Sequence, residues 1–322
     1  MPAYSTARRA TLKIHRHSAK KARRHSVKTV GIVGLGQLGL PIAANLISAG
    51  FRVVGFPRSS AAAFAAVGGI ALGSPAEVLK EAEVLLLCLP SESAQLQVLD
   101  GDDGLLKSGV RNKTVVELST YRRSFKLAQE ARLVDAGLSV LECEVSGSPP
   151  MVSQKKAALF VGGSKELYEG CRAVLDAIAP TQFHLGPFGA ALNMKLIANA
   201  LLAIHTLAAA EALNLGARAG FDPHLVVEAI RQSAGASTMF AIRAPMMADR
   251  RFEPAPGPFT TLEKYLDLAS ELAIDSGSAT PLFATALPYY RRAVEQGIGD
   301  QDISAVITLL EEESKSNIRT LS

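Results

Sequence analysis

The feature of this chain that most restricts its fold is a glycine-rich turn after a short apolar segment. The segment Lys28-Thr-Val-Gly-Ile-Val-Gly34 ends in glycine, continues as Leu-Gly36-Gln-Leu-Gly39, and leads into a helical pattern. In such a turn the first glycine permits a tight bend and the third allows the helix to pack closely on the strand. The second glycine lets the backbone approach a phosphate group, towards which the helix N-terminus points. The pattern therefore predicts a strand–turn–helix unit that binds a dinucleotide.

Further apolar runs alternate with helical patterns and extend this unit into a sheet. Near-continuous aliphatic strands separated by helices are typical of a parallel sheet that is covered on both faces. After residue 186 long helical periodicities replace this alternation. The sequence predicts an α/β fold in which a doubly wound parallel Rossmann sheet (28–187) precedes an all-α domain (188–322). The predicted strands cover 28–34, 51–56, 84–89, 114–118, 138–143 and 157–161, and the predicted C-terminal helices cover 189–217, 222–233, 259–275, 281–295 and 301–313.

The first residues differ from the rest of the chain in charge. Nine of the 34 Lys and Arg residues, and none of the 30 Asp and Glu residues, fall within residues 1–28. The body is therefore mildly acidic, and residues 1–27 form a basic tail that we predict to be disordered. The tail has no apolar run of a secretory signal, but its Arg and Ser content resembles a mitochondrial transit peptide. We expect a cytoplasmic protein, or a mitochondrial one if the tail is a transit peptide, and no nucleic-acid partner.

Cysteine and apolar patterns exclude several other classes. The three cysteines Cys88, Cys143 and Cys171 show no pairing or metal-ligand spacing, which favours a reducing compartment and predicts no metal site. The longest apolar stretch, residues 196–210, is interrupted by Asn199 and is too short to predict a membrane span. We interpret it as a buried helix.

The end of the second strand bears on the choice of dinucleotide. Sites selective for NAD usually place an acidic residue there to bind the ribose 2′-hydroxyl. Here the chain reads Gly55-Phe-Pro-Arg58-Ser59-Ser60, without Asp or Glu. The planar guanidinium of Arg58 suits a 2′-phosphate, and the serines can add hydrogen bonds. NADP is therefore predicted in preference to NAD; the alternative is that Arg58 is a solvated surface residue.

Five segments, in order, resemble the β-hydroxyacid dehydrogenase family, whose members are 3-hydroxyisobutyrate dehydrogenase-like. They are Gly34 to Phe51, Glu117-Leu-Ser-Thr120, Val145-Ser-Gly147, Lys195 with Asn199, and Lys264 with Asp302-Ile-Ser304. The resemblance covers about residues 28–310. It implies a Rossmann domain joined by a long helix to a helical domain, a small carboxylated substrate, and a homo-oligomer, either dimer or tetramer.

The resemblance also implies the catalytic residues. Lys195 and Asn199 are four residues apart and so project from one face of a helix. By resemblance, Lys195 is the general acid or base at the substrate oxygen as a hydride moves to or from the nicotinamide, and Asn199 binds the substrate. We expect burial and the cationic nicotinamide to bring the pKa of Lys195 down towards working pH. The alternative is a Lys195 that extends to the surface.

The same resemblance places the substrate carboxylate at Ser146, Gly147 and Ser148, where a Gly-containing turn can bind an anion. Lys264 would close the site and contact the carboxylate or the cofactor. The residues expected to bind the dinucleotide are Gly34, Gly36, Gln37, Leu38, Gly39, Arg58, Ser59, Leu89, Pro90, Thr120 and Lys264.

Some positions depart from the family pattern. The family usually has Asp-Ala-Pro where this chain has Glu142-Cys143-Glu144, glycine at Ser148, and Asp at Tyr265. These changes surround the expected substrate site, so they leave the substrate open. Two alternatives follow: an imine reductase, a group that usually lacks the lysine, and a catalytically silent NADP-binding protein whose basic tail binds nucleic acid.

Overall fold

The computed structural model describes residues 27–321, with side chains as far as Lys315. The predictions made for the basic tail of residues 1–27, namely disorder and a role as a transit peptide or in nucleic-acid binding, lie outside the described residues except at Val27.

Eight strands of the described chain form one sheet, in the order β3-β2-β1-β4-β5-β6-β7-β8. The first six strands in this order, from β3 to β6, pair in parallel with their neighbours. Helices connect most of them along the chain. The predicted doubly wound α/β fold is confirmed. The strands are β1 (Thr29–Val33), β2 (Arg52–Phe56), β3 (Ile70–Ala71), β4 (Val84–Leu87), β5 (Thr114–Glu117), β6 (Ser139–Ser146), β7 (Ala158–Gly162) and β8 (Thr181–His184).

One end of the sheet departs from the predicted parallel arrangement, because β7, and β8 that pairs in parallel with it, run opposite to the other six strands. β7 runs antiparallel to β6, with Cys143 opposite Val161. A parallel return needs a crossover of about a dozen residues or more, whereas the connection between β6 and β7 holds only a short helix, Pro149–Ser153. Strands β3 and β8 were not expected, because β3 has two residues and β8 alternates polar side chains at the sheet edge.

Apolar side chains cover both faces of the sheet, as expected. Ile32 and Val33 are consecutive in β1 and therefore point to opposite faces. Ile32 belongs to one buried cluster and Val33 to another. The helices that pack on these faces are α1 (Gly39–Ser48), α2 (Ala61–Ala66), α3 (Pro75–Glu81), α4 (Glu92–Asp100), α5 (Arg123–Asp135), α6 (Pro149–Ser153) and α7 (Lys165–Ile178).

The rest of the described chain is helical and surrounds one long helix, α8 (Ala190–Arg218). By length and composition alone α8 is apolar enough to cross a membrane. One side of α8 packs into a core built with α10 to α13, while large apolar side chains on other parts of the helix are exposed. Helix α10 was not predicted, because Pro245 interrupts its pattern. The further helices are α9 (Pro223–Arg231), α10 (Thr238–Ala248), α11 (Phe259–Asp275), α12 (Pro281–Glu295), a 3-10 turn (Ile303–Ala305) and α13 (Val306–Leu321).

Candidate active site

The candidate site lies where five neighbouring parallel strands end. Strands β2, β1, β4, β5 and β6 are adjacent, so their carboxyl ends share one edge of the sheet. In open α/β sheets ligands bind at this edge. Each expected segment of the sheet domain follows one of these strands: Arg58 and Ser59 after β2, Gly34 to Gly39 after β1, Leu89 and Pro90 after β4, Thr120 after β5, and Ser146 to Ser148 at the end of β6.

The glycine turn fits a dinucleotide. A Cβ atom on Gly34 would lie 2.0 Å from the carbonyl oxygen of Cys88, and one on Gly39 would lie 1.9 Å from the carbonyl oxygen of Gly34. These two glycines are therefore required by packing within the protein. A Cβ atom on Gly36 would meet nothing within 4 Å, so the backbone there faces open space. Gln37 and Leu38, which complete the turn, are partly or fully exposed, and this is the cradle that a pyrophosphate requires.

Arg58 lies on the solvent side of the same edge. The side chains of Arg58 and Ser59 are both exposed. With the other described residues, Arg58 forms no ion pair and no hydrogen bond. Its guanidinium is therefore available to an anionic group of a ligand.

The loops after β4 and β5 are tied to each other through Leu89. The Leu89 N–H donates to Ser119 Oγ over 2.9 Å, and the Tyr121 hydroxyl donates to the Leu89 carbonyl over 3.0 Å. Both polar groups of the Leu89 backbone are thereby satisfied, and Pro90 next to it is exposed. These loops form a fixed wall beside the glycine turn.

Lys195, on the second turn of α8, is buried in a polar cluster at this wall. Its Nζ donates to Thr120 Oγ1 over 2.7 Å and lies 3.2 Å from Glu144 Oε2. The Thr120 hydroxyl in turn donates to Glu144 Oε2 over 2.6 Å. Because Lys195 is only 8% exposed, the alternative in which it extends to the surface is wrong.

The expected lowering of the Lys195 pKa is also wrong for this structure. Burial does act to lower the pKa of Lys195, but the Glu144 carboxylate and Tyr265 more than offset it, so the pKa lies above its usual value. Burial acts to raise the pKa of Glu144, and the charges of Lys126 and Lys195 hold it below its usual value instead. Both members of the pair are therefore charged in the folded protein.

Lys126 is the site residue that sequence reasoning missed. It projects from α5 into the protein and is 2% exposed. Its Nζ lies 2.5 Å from Glu144 Oε1 and 2.9 Å from Glu142 Oε1, and it donates to the Ser119 carbonyl over 3.0 Å. Burial of an unpaired carboxylate costs free energy. Lys126 and Lys195 offset this cost because they balance the charges of Glu142 and Glu144.

Glu142 and Glu144 both contact Lys126, but the second oxygen of Glu142 binds the start of α8 and not Lys195. This oxygen, Oε2, accepts hydrogen bonds from the N–H groups of Gly189 at 2.8 Å and Ala191 at 3.0 Å. These groups lie at the N-terminus of α8, where backbone N–H groups lack partners within the helix. Strand β6 therefore fixes the start of the helix that carries Lys195.

One signal in the sequence points to this cluster. Glu142 and Glu144 are two residues apart in an apolar strand, so both project from one face of a buried sheet. Two carboxylates on a covered face require a cation, but no sequence spacing identifies Lys126 as its source. Lys126 does share a helix face with Leu133, which is buried.

Glu117 ends β5 close to the cluster and is almost completely buried. Its carboxylate accepts from Gln95 Nε2 over 2.6 Å and from the Ser119 N–H over 2.8 Å. Burial raises the pKa of Glu117 to about 7, although Lys126 and these hydrogen bonds oppose the rise. Glu117 therefore titrates near neutral pH.

The helical domain contributes a further predicted residue, Lys264, to the opening. Lys264, on α11, places its Nζ 5.2 Å from the ring centre of Tyr121, while Lys195 Nζ lies 5.0 Å from that of Tyr265. Since Tyr121 follows Thr120 and Tyr265 follows Lys264, these contacts bring both lysines to one place. Partial burial lowers the pKa of Lys264.

Asn199 lies one helical turn beyond Lys195 on α8. Its Nδ2 atom is buried and has no hydrogen-bond partner among the described residues. A buried amide donor without a partner is costly for the protein alone. It marks a place where a ligand can accept a hydrogen bond.

The predicted carboxylate loop is close to the cluster in sequence. Ser146 ends β6, two residues after Glu144, and Ser148 precedes α6 without donating or accepting a side-chain cap hydrogen bond. Both serines are partly exposed and Gly147 is exposed. Their polar groups thus remain accessible at the strand end.

Comparison with known proteins extends this description. A family model described as the NAD binding domain of 6-phosphogluconate dehydrogenase matches residues 29–186. A second, described as the NAD-binding of NADP-dependent 3-hydroxyisobutyrate dehydrogenase, matches residues 189–310.

Individual relatives agree with the family models over most of the chain. The NAD-dependent L-serine dehydrogenase of Pseudomonas aeruginosa is 30% identical over 88% of this chain and 98% of its own. The crystal structure of 3-hydroxyisobutyrate dehydrogenase from Salmonella typhimurium superposes with a TM-score of 0.76 at 29% identity, covering 88% of this chain and 99% of the other. An imine reductase from Myxococcus stipitatus, 17% identical with a TM-score of 0.61 over 88% of this chain and 99% of its own, shares the fold alone.

Proposed function

The chain belongs to the β-hydroxyacid dehydrogenase family, and from this premise we propose that it transfers a hydride between NADP and a small β-hydroxyacid or semialdehyde. Membership makes it an NAD(P)-dependent oxidoreductase that acts on CH–OH groups. The finer points, which are the substrate class, the preference for NADP and the role of each residue, are our proposal.

A single observation carries the proposal. Lys195 is a buried ammonium group at the edge where the strands end. One turn further along the helix, Asn199 presents a buried amide donor that has no hydrogen-bond partner among the described residues. A substrate oxygen between these groups would accept a hydrogen bond from each. Groups with this geometry can hold a hydroxyl or carbonyl oxygen and exchange a proton with it.

The roles of the residues follow from this placement. When bound, the nicotinamide supplies or accepts the hydride. Lys195 gives a proton to the substrate oxygen or takes one from it, and Asn199 fixes that oxygen by a hydrogen bond. Ser146, Gly147 and Ser148 bind the substrate carboxylate, and Lys264 adds a positive charge at the opening.

The proposed preference for NADP rests on the second strand. Arg58 follows β2, is exposed and makes no ion pair with a described residue, and the segment 55–60 contains no carboxylate. Gly34, Gly36, Gln37, Leu38 and Gly39 would hold the pyrophosphate. Leu89, Pro90 and Thr120 would form the wall beside the nicotinamide half.

The test is turnover by the purified protein. NADPH oxidation is followed with glyoxylate, succinic, tartronate and methylmalonate semialdehydes, and cyclic imines serve as controls. We expect turnover on a carboxylated aldehyde, and Lys195→Ala should lower it by a factor of about 1,000 or more with NADPH affinity nearly unchanged. Unchanged turnover in Lys195→Ala would refute the lysine mechanism, and turnover of imines alone would refute the substrate class.

The cofactor preference has its own variant. Arg58→Ala should weaken NADPH binding by about tenfold or more, because a charge-assisted contact to phosphate is lost. NADH binding should stay the same, which makes NADH the internal control. Titration of cofactor fluorescence measures both, and an equal loss for the two cofactors would contradict the proposal.

We also propose that the protein is a homo-oligomer. Helix α8 exposes Ile197, Leu201 and Leu215, with 50% or more of each side chain accessible. Large apolar side chains that one helix leaves exposed favour contact with a second copy. Sedimentation velocity of the whole chain distinguishes dimer and tetramer from monomer, and a monomer at micromolar concentration would contradict the proposal.

A further inference from the structure

We propose that Glu144 is a positioning residue that keeps Lys195 protonated, so that the site is adapted to give a proton to a carbonyl oxygen. The proposal rests on the proposed function, in which Lys195 exchanges a proton with the substrate. It adds a direction: reduction of an aldehyde or ketone is favoured by the charge state of the site at neutral pH, and oxidation of the hydroxyl is not.

The hydrogen-bond directions around Thr120 carry the first step. Its hydroxyl has one hydrogen, which points to Glu144 Oε2 over 2.6 Å. The same oxygen must then accept from Lys195 Nζ, which lies 2.7 Å away. Glu144 Oε2 is also 3.2 Å from Nζ, so Lys195 uses two of its N–H groups towards the protein and leaves the third for a ligand.

The second step concerns the environment of Glu144. The carboxylate is fully buried, and its other oxygen, Oε1, is 2.5 Å from Lys126 Nζ. Lys126 therefore stabilises Glu144 as an anion where water cannot. A buried carboxylate fixed in its charged form attracts the neighbouring ammonium strongly, because the surroundings screen the attraction little.

Several other groups act on the charge of Lys195. The charge of Lys126 opposes protonation of Lys195, but Lys126 contacts Oε1 of Glu144, the oxygen that does not face Lys195. The net effect of all these groups is that the pKa of Lys195 is raised although burial alone would lower it. The titratable groups that influence Lys195, or are influenced by it, are Glu144 on β6, Lys126 on α5, Tyr265 and Lys264 on α11, and Cys88 after β4.

The proton balance makes the consequence measurable. In reduction, the carbonyl carbon takes the hydride with its electron pair from the reduced nicotinamide, and the π electrons of the C=O bond move to oxygen. The oxygen forms an O–H bond with the proton of Lys195 Nζ, and the neutral amine regains a proton from water. The reverse reaction requires a neutral Lys195 at the start, which Glu144 makes rare.

The expected pH profiles therefore differ in the two directions. The reductive kcat should be level from neutral pH up to the pKa of Lys195 and fall above it. The oxidative kcat should rise about tenfold per pH unit below that pKa, because only the neutral lysine accepts the proton.

The experiment compares Glu144→Gln with the wild type by two readouts. The first is the inflection of the pH profile in both directions. The second is the titration of the Lys195 Cε resonance in protein labelled with ¹³C-lysine, which is assigned with Lys195→Arg and needs no turnover. In Glu144→Gln both should move to lower pH by about 1 to 3 pH units, and Glu144→Asp should return them towards the wild-type position.

Glu142→Gln is the matched control. It removes a buried carboxylate on the same strand face that contacts Lys126 and the start of α8 instead of Lys195. The Lys195 resonance should titrate at its wild-type position in this variant. An equal displacement in Glu142→Gln and Glu144→Gln would overturn the proposal, as would an unchanged Lys195 titration in Glu144→Gln.

A second variant covers the case in which Glu144→Gln does not fold. Lys126→Met removes a cation that opposes protonation of Lys195. Because Glu144 stays ionised at the high pH where this lysine titrates, the titration should move to higher pH, opposite to the effect of Glu144→Gln. A move to lower pH would overturn the proposal. Because the resonance is independent of catalysis, absence of turnover on every substrate refutes the proposed function, whereas a wrong titration with turnover present refutes only the role of Glu144.

Discussion

Two buried ion clusters in this protein differ in whether their cations can lose a proton. In the helical domain Arg243 pairs with Asp302, whose carboxylate also accepts from the N–H groups of Gly257 at 3.1 Å and Ser304 at 3.0 Å. An arginine does not lose its proton in proteins, so this cluster has one charge state and fixes a backbone turn. At the sheet edge the cations are lysines, and one of them adjoins an opening.

The comparison suggests how a structural ion pair can be told from a functional one. Burial is similar, since Arg243 and Lys195 are each 8% exposed and the carboxylates Asp302 and Glu144 are fully buried. The difference is that Lys195 can change its charge and keeps one N–H group without a hydrogen-bond acceptor among the described residues. Burial together with a proton that can move, and not burial alone, marks the functional cluster.

Asp302→Ala is expected to have the largest effect on stability. It leaves the guanidinium of Arg243 buried and unpaired, which should lower the free energy of unfolding by about 3–5 kcal/mol. The loss should be equal at pH 5 and pH 8, because arginine stays charged at both. Urea unfolding at the two pH values measures it.

An exposed pair is the control for that prediction. Asp267 contacts Arg291 over 2.7 Å, but about half of each side chain is exposed. Asp267→Ala should therefore change the free energy of unfolding by less than about 1 kcal/mol. A loss in Asp302→Ala no larger than this control would remove the structural half of the comparison.

Lys126→Met should have a smaller and pH-dependent effect. It leaves Glu142 and Glu144 with Lys195 as their remaining cation, which should lower the free energy of unfolding by about 3 kcal/mol at pH 8. At pH 5 the loss should be smaller, because a carboxyl group can take up a proton and become neutral where an arginine cannot lose one. Urea unfolding at both pH values tests this, and a loss independent of pH would show that the two clusters behave alike.

Glu117→Gln is expected to have the smallest effect, with a defined sign. The pKa of Glu117 is about 7 in the folded protein against a usual value of 4.5. Its contribution to stability is therefore fully present below pH 4.5 and is lost as the pH rises to about 7. Relative to the wild type, the variant should gain about 2 kcal/mol in free energy of unfolding between pH 5 and pH 8.

The matched substitution for this prediction is Glu83→Gln. Glu83 is exposed and accepts, among the described residues, from the N–H groups of Lys28 and Thr29. Glu83→Gln makes the same chemical change at the protein surface, and its free energy of unfolding is measured at the same pH values as the reference. If Glu117→Gln gains nothing at pH 8, the charged form of Glu117 is stable in the fold.

Most of the fold followed from local patterns in the sequence. The glycine turn at residues 34–39 and the aliphatic strands of the sheet interior are specified by residues close together in the chain, so their positions were predictable. Strand β8 was not, because an edge strand with Gln182 and His184 lacks an apolar run. The direction of β7 depends on a short connection whose geometry the hydrophobic pattern does not determine.

The residues of the candidate site also fall into those that the sequence identifies and those that depend on tertiary packing. Lys195, Asn199 and Thr120 could be identified because they recur at fixed places in a known family pattern, and their roles remain predictions. Lys126 could not be identified, because it becomes a partner of Glu144 only when α5 packs on β6. The sign of the Lys195 pKa shift was misjudged for the same reason: burial was foreseeable, and the neighbouring carboxylate was not.

The attachment of α8 to β6 has a consequence for building chimeric enzymes. Helix α8 spans 29 residues, or about 43 Å at 1.5 Å per residue, and Glu142 holds its first N–H groups. The helical half is thus not an interchangeable module that can be joined after residue 187. A recombinant protein that took its sheet from a relative without a hydrogen-bond acceptor at position 142 would leave the N–H groups of Gly189 and Ala191 without this partner, and the start of the helix that carries the lysine would lose its attachment to the sheet.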